Sequence, residues 1–452
     1  MEHTYKLKKG LDVRLVGEAE KTLAKPTIAP QAYAIRPADF HGIVPRLQVK
    51  EGDKVRAGDA LFVDKATERI RIVSPVSGIV KAIVRGARRK ILHIIVEPST
   101  TNVFADFSKS DLNTMERGDV LELLLKSGLF AFLRQRPYDV VANPNDNPKA
   151  VFISAFSKMP LAADFTFVAE GREAYFKSGV KALAKLAPVF VGISPEQEDC
   201  AWIPTEGAEV NIFDGPNPCG NVGVQINHVS PVNKGETVWT LGAEEVIFIG
   251  ELVETGHVNL TRRVAVAGSE VIRPEYVEIP IGASLSTILK DNVTNSEHTQ
   301  RVIDGNPLVG RKASVDDFLG AHTTEICVLP EGDDKHEILG WIMPRLKEFS
   351  ANRSYLSWLL GKGRAYSPDC RIKGGERHMI MSGEYDRVFP MDIYAGYLVK
   401  AIIAGDIDRQ EALGIYEVAP EDFAVAEFVD SSKLELQRIV REGLDTLRKE
   451  NA

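Results

Sequence analysis

Residues 49–80 read VKEGDKVRAGDALFVDKATERIRIVSPVSGIV, and the rest of the chain is placed around them. Short apolar runs alternate there with Gly-Asp and Ser-Gly turns. Gly52-Asp53 and Gly58-Asp59 stand six residues apart, and Val55 and Leu61 follow them as inward-facing positions. Glycine accepts the positive φ that such turns require, and the Asp side chain bonds its own backbone. Ser74-Pro75-Val76-Ser77-Gly78 reverses the chain again, with Pro fixing φ and Gly opening the turn. Short strands joined by tight turns are the expectation for this whole stretch.

The pattern resembles the barrel-sandwich fold of lipoyl and biotinyl domains. It also carries Asp64-Lys65-Ala66, as carrier domains do around their modified lysine. Lys65 is then either an attachment site, which would make the chain a carrier protein, or an ordinary exposed lysine. Spacing favours the ordinary lysine. A carrier lysine sits midway, at a symmetric hairpin tip, whereas Lys65 lies six residues after Asp59 and thirteen before Gly78. The second half also lacks a repeat of the G-D-x-V-x-x-G-D half-motif. A likeness of fold does not transfer a function.

A chain of 452 residues should hold three or four domains. Its charged fraction of 26% and apolar fraction of 44% are ordinary for a globular protein. No apolar run reaches the ~18 residues of a membrane span, and MEHTYKLKKG lacks the apolar centre of a signal peptide. The expected place is the cytoplasm or the cytoplasmic face of a membrane, with no nucleic-acid partner. Cys200, Cys219, Cys327 and Cys370 form no C-x-x-C pair. That spacing argues against a disulfide framework, a zinc ribbon or a thiolate-held iron–sulfur cluster. The net charge of -8 is unevenly spread: residues 1–100 carry 19 Lys and Arg against 11 Asp and Glu, and the remainder 36 against 52. A basic head on an acidic body suits acidic partners or an anionic bilayer. The densest basic cluster is Arg85, Arg88, Arg89 and Lys90, which also suits a solvated hairpin tip.

The overall expectation is an α+β and α/β multidomain chain. Residues 1–100 form an N-terminal segment and a barrel-sandwich head. The segment before about residue 45, punctuated by Pro26, Pro30, Pro37 and Pro45, is read as irregular and extended, with Tyr33, Arg36 and Phe40 packed on the barrel. Residues 101–260 form a Rossmann-like parallel α/β domain. Ser108 to Phe132 is helical by period, Val151–Ala155, Val189–Ile193 and Val246–Gly250 read as buried strands, and Glu173–Leu186 as a helix. Gly215 to Gly223 follows an apolar run, but it is not G-x-G-x-x-G. Its two prolines remove amides that a phosphate cradle needs, so it is read as a structural loop. Residues 261–332 resemble an SLBB-type β-grasp, with strands around Val264, Val266, Tyr276, Val277 and Ile279 and a short helix capped by Ser284. Residues 333–452 are mixed and then helical, with helices at Tyr394–Ala404, from Arg409, from Pro420 and at Leu434–Leu447.

This succession resembles the NqrA family, one of the subunits of the Na+-translocating NADH:quinone oxidoreductase. The motifs that carry the likeness are K-K-G-L-D (Lys8–Asp12), Ser74–Gly78, R-G-A-R-R (Arg85–Arg89), S-G-L-F-A-F-L-R-Q-R-P (Ser127–Pro137), F-D-G-P-N-P (Phe213–Pro218), V-A-G-S-E-V (Val266–Val271), F-S-A-N-R-S-Y-L (Phe349–Leu356) and A-G-D (Ala404–Asp406). The architecture also resembles the RnfC component of Rnf complexes, a rival electron-transfer reading, and the NADH-binding flavoprotein of complex I. In the latter a Gly-rich loop holds flavin. The matching place here is Phe130 to Pro137, where Phe and Leu side chains would bar a ring or phosphate from the backbone. The clustered cysteines of those relatives' tails are also missing. The resemblance therefore implies a component with no cofactor of its own and no catalysis in isolation. Flavins, iron–sulfur and quinone are expected elsewhere in a complex that couples NADH oxidation to Na+ export. Its expected partners are the other subunits, membrane-embedded ones included. A quinone contact is expected at Phe130, Phe132, Arg134 and Arg136, since a quinone head group wants aromatic faces and hydrogen-bond donors beside an apolar slot.

Overall fold

The computed structural model describes residues 3–451 apart from 26–27, 205, 295–298, 336–347, 352–355 and 361–362. Pro26 and residues 352–355 of the F-S-A-N-R-S-Y-L motif thus lie outside the described residues.

The turn-rich stretch folds as two small facing sheets. One carries Tyr33–Ile35, Ile91–Pro98, Gly78–Arg85 and Lys54–Val55 in that order; the other carries Pro45–Leu47, Ala60–Asp64 and Arg71–Val73. Gly52 and Gly58 take φ of 90° and 93°, as their turns require. Asp53 and Asp59 accept from the amides of Lys50 and Arg56 at 2.9 and 2.8 Å, closing those turns. Lys65 is exposed at the start of the link between Ala60–Asp64 and Arg71–Val73, with its amide donating to the Val44 carbonyl at 2.8 Å.

The largest sheet has seven strands. His3–Lys6, Glu209–Asp214, Val189–Ile193, Val151–Ser154 and Val238–Gly242 run parallel, and Arg134–Arg136 and Val140–Val141 continue antiparallel at one edge. Helices Glu173–Ala184 and Ala243–Thr255 pack on each other beside it. A six-stranded sheet built on Thr261–Ala267 and Glu275–Pro280 forms the β-grasp unit. Ser284 precedes its short helix Leu285–Ile288, yet the Ser284 hydroxyl bonds the Thr287 hydroxyl and caps no backbone amide.

Four sequence expectations give way. Val246–Gly250 is no strand but the middle of helix Ala243–Thr255, and the fourth parallel strand of the α/β run is Val238–Gly242. Val246, Ile247, Phe248 and Ile249 are all buried, and the polar positions Glu244, Glu251 and Thr255 lie outside that run, so the five residues by themselves show no helical period. The helix within residues 108–132 is only Arg117–Ser127. Asp119 caps its start by accepting from Glu116, and Gly128 at φ 79° ends it, after which Leu129–Phe132 turns as a 3-10 helix. The segment before residue 45 is not irregular. His3–Lys6 joins the α/β sheet, Glu20–Ala24 pairs with the β-grasp strand Glu275–Pro280, and Tyr33–Ile35 joins the barrel. The stretch from Pro420 begins as a 3-10 turn, Pro420–Phe423, before helix Ala424–Val429.

One continuous apolar core runs from Tyr33 through the α/β sheet to Val328. Helices Ala395–Ile403, Ile407–Ala412, Ala424–Val429 and Leu436–Glu450 surround a second core that includes Phe389, Leu398, Phe423 and Leu444.

Candidate functional site

A cleft of about 660 Å³ opens where the order of the parallel strands reverses, at the carboxyl ends of Val151–Ser154 and Val238–Gly242. The chain leaves these neighbouring strands in opposite directions, which is what opens a crevice in such sheets. The β-grasp unit closes one side through Asp304, Asn306, His322 and Glu325, and the helical unit another through Glu421, Gln437 and Arg441.

The expected quinone residues divide. Arg134 and Arg136 alternate on the strand next to the sheet edge and so share a face; both line the cleft with Phe132. Phe130 does not line it. It is fully buried and meets Trp239 edge-on, 5.5 Å between ring centroids. Phe132 is the hub of an aromatic group, 5.7 Å from Phe40, 6.2 Å from Phe248 and 5.3 Å from His322.

Arg136 is 1% exposed. Its Nη2 donates to Glu421 Oε1 at 3.3 Å, and its Nη1 stands 3.8 Å from Asp422 Oδ2. Nε and Nη1 have no hydrogen-bond acceptor among the described residues. Arg441 pairs with Asp139, which also has Arg134 at 3.7 Å. Burial pushes the Asp139 carboxyl up, but Arg134, Arg136 and Arg441 together hold it at about 2. Asp422 is different: burial outweighs the pull of Arg136 and raises it to about 7. Burial also lowers the His322 imidazole, helped by Arg134 and opposed by Glu245, whose carboxylate is 3.5 Å from its Nδ1.

The far wall is acidic and tightly bonded. Glu244 and Glu245 open the Ala243–Thr255 helix, where carboxylates suit the dipole. The fully buried Arg262 binds both, and Arg172 reaches Glu244 at 3.0 Å. Glu325 accepts from Thr324, Asn306 and the Ala163 amide, and burial raises its pKa. Glu244 and Glu245 escaped the sequence reading because they adjoin the misread apolar run. Arg441, Asp139 and Asp422 escaped it because the pairs Arg441–Asp139 and Arg136–Asp422 join residues hundreds of positions apart in the chain.

The Gly215–Gly223 loop reaches the cleft through Gly220 and Asn221. Asp12 accepts from the Asn217 amide at 2.9 Å, and the Cys219 and Asn221 amides bond within the loop. At the start of helix Val222–Val229, Gly223 lies against Asp422: a Cβ there would be 2.3 Å from Oδ2. The chain's own carboxylate thus occupies the space over that helix end. Among the described residues no group of three or more His, Cys, Asp or Glu is placed to hold a metal ion, and no helix is long and apolar enough to cross a membrane.

Three family models match the chain: the NqrA N-terminal barrel-sandwich hybrid domain over residues 5–99, the NqrA second alpha/beta domain over 115–258, and the NQRA C-terminal domain over 263–315. Among similar proteins, the NqrA subunit of the Na(+)-translocating NADH-quinone reductase of Hahella chejuensis is 34% identical over 449 residues, covering 98% of this chain and 99% of its own. That of Teredinibacter turnerae is 35% identical over 455 residues, and that of Neisseria meningitidis serogroup B 33% over 452, both with the same coverage. Among solved structures, an NAD+-reducing nickel–iron hydrogenase in its H2-reduced state matches 51% of this chain and 52% of its own at a TM-score of 0.34 and 13% identity, too low to carry a fold assignment. With relatives above 30% identity along nearly its whole length and family models on three successive segments, the chain belongs to the NqrA subunit family of the Na+-translocating NADH-quinone reductase.

Proposed function

We propose that this chain is a cofactor-free peripheral component of that reductase, docked on the cytoplasmic face against membrane-embedded subunits, and that its cleft forms or shields part of a quinone region. In this reading the complex moves electrons from NADH to quinone and exports Na+, while this chain performs no redox step alone. The strand order, with the third, second, first and fourth parallel strands side by side, supports a Rossmann-like ancestry. The loop after Val151–Ser154 (Ala155-Phe156-Ser157-Lys158-Met159-Pro160) has no glycine to cradle a phosphate.

The observation that carries the quinone reading is Arg136. Its buried guanidinium offers Nε and Nη1 without acceptors, on a wall that Phe132 makes apolar. A neutral ring with carbonyl oxygens suits such donors, whereas a second anion would meet Asp139 and Glu421. Calorimetric titration of a short-chain quinone tests this. Arg136→Gln and Phe132→Ala are expected to weaken binding roughly tenfold or more. Phe130→Ala, behind the wall, should lower stability and leave affinity unchanged. Equal affinity in all four proteins removes these residues from any quinone site.

A further inference from the structure

The longest hairpin of the barrel, Gly78–Arg85 with Ile91–Pro98, ends in Arg85-Gly86-Ala87-Arg88-Arg89-Lys90. Its tip is ordered by its own backbone: the Gly86 amide donates to the Lys90 carbonyl at 2.8 Å, and the Lys90 amide to Ala87 at 3.1 Å. Arg88 and Arg89 sit at φ 53° and 59°, in the left-handed region. A turn of that shape is met most cheaply by Gly or Asn, so arginine at both positions costs backbone energy that a plain turn would avoid. All four cations are exposed, and among the described residues none has a carboxylate within ion-pair distance; Arg85 Nη1 reaches only the Arg89 carbonyl, at 3.1 Å.

Two apolar side chains accompany them. Val84 opposes His93 and Arg85 opposes Ile91, so Leu92 is an extra, bulged residue. Val84 is 37% and Leu92 40% exposed, and Leu92 lies over Gly86, where a Cβ would be 3.0 Å from its Cδ1.

We propose that this tip docks the protein on an anionic lipid surface, with Arg85, Arg88, Arg89 and Lys90 at the headgroup phosphates and Val84 and Leu92 at the acyl boundary. Charge complementarity selects the occupant. Residues 101–452 carry 36 Lys and Arg against 52 Asp and Glu, so an anionic bilayer repels the body and attracts only the head. Cations beside exposed aliphatic side chains suit a bilayer interface when the hairpin lies along it, with Leu92 over Gly86 on its flank. A nucleic-acid strand would favour stacking aromatics, and the tip has none.

The test is co-sedimentation of the full chain with vesicles of phosphatidylcholine alone or with ~30 mol% phosphatidylglycerol, at low and high salt. Binding is expected only with phosphatidylglycerol and should fade at high salt. Arg88→Gln/Arg89→Gln should weaken it roughly 30-fold, about fivefold per charge. Leu92→Ser should weaken it severalfold. The same charge change on the body, Lys126→Gln/Lys185→Gln, should not weaken it. Equal binding to neutral vesicles, binding to neither, or equal loss in the body variant overturns the proposal. So does a hairpin variant that keeps vesicle binding but loses an acidic protein partner on co-purification.

Discussion

At the scale of single residues the most informative group is Asp422. It is 1% exposed, its Oδ2 accepts from the Ala419 amide at 2.8 Å, and its Oδ1 has no donor among the described residues. Arg136 stands close but not in hydrogen-bonding range, and burial raises the carboxyl from 3.8 to about 7. A carboxyl whose folded value exceeds its unfolded one binds its proton more tightly when folded. The stability this gives is full below about pH 4 and is lost as pH rises through 7. Asp422→Asn cannot ionise, and its amide oxygen can still accept from Ala419. Relative to wild type it should gain about 1–3 kcal/mol between pH 5 and pH 8, read from urea midpoints at both. A difference that does not change with pH would show that Asp422 is already ionised at pH 5. Asp422 was invisible in the sequence for a physical reason. Arg134 and Arg136 stand out in a run of aromatic and basic residues, but Asp422 is hundreds of positions from the Arg136 it faces, and no local pattern marks such a pair.

At the scale of elements, the packing of Glu173–Ala184 on Ala243–Thr255 depends on two glycines. A Cβ on Gly250 would be 1.7 Å from the Tyr175 carbonyl oxygen, and one on Gly179 would be 2.1 Å from that of Val246. The two backbones touch there, and no rotamer change relieves a clash with backbone. Gly250→Ala should therefore destabilise by about 1–3 kcal/mol or more, although Ala favours an isolated helix by roughly 1 kcal/mol. Gly118→Ala, in helix Arg117–Ser127 with open space at its Cβ, is the contrast and should be neutral or slightly stabilising. Thermal denaturation of the two variants decides it; equal midpoints would mean the helices can move apart freely. The same helix explains what was and was not legible. Strands Val151–Ser154, Val189–Ile193 and Thr261–Ala267 could be read because strands of four to seven residues show their character within a short window. Val246–Gly250 could not, because five consecutive buried apolar positions in the middle of a helix present the same short run as a central strand. The cleft walls were legible only where a motif crossed them, at Phe132, Arg134 and Arg136.

At the scale of the whole molecule, the described residues have one large continuous core, a second core in the helical unit and two smaller clusters, around Leu161 and Cys327 and around Phe152 and Val238. His3–Lys6, Glu20–Ala24 and Tyr33–Ile35 give an edge strand to the α/β, β-grasp and barrel sheets in turn. Apolar contacts of Val224, Leu7 and Tyr138 and several ion pairs join the helical unit to the rest. Arg441 binds Asp139 and the Tyr138 carbonyl, Arg136 meets Glu421 and Asp422, and His41 pairs with Asp445 at 2.8 Å. Asp139 is held at about 2 although burial pushes it up, so its contribution is full above about pH 4 and is lost as pH falls towards 2. Arg441→Met keeps the aliphatic stem of that side chain and removes the charge, leaving Asp139 buried with Arg134 and Arg136 alone. At neutral pH, amide exchange in Ala395–Ile403 and Leu436–Glu450 should then quicken roughly 30-fold or more, while Val151–Ser154 keeps its protection. If helices and sheet quicken together, the two cores open as one cooperative unit. If neither changes, the apolar contacts of Val224, Leu7 and Tyr138 hold the helices without help from the ion pairs.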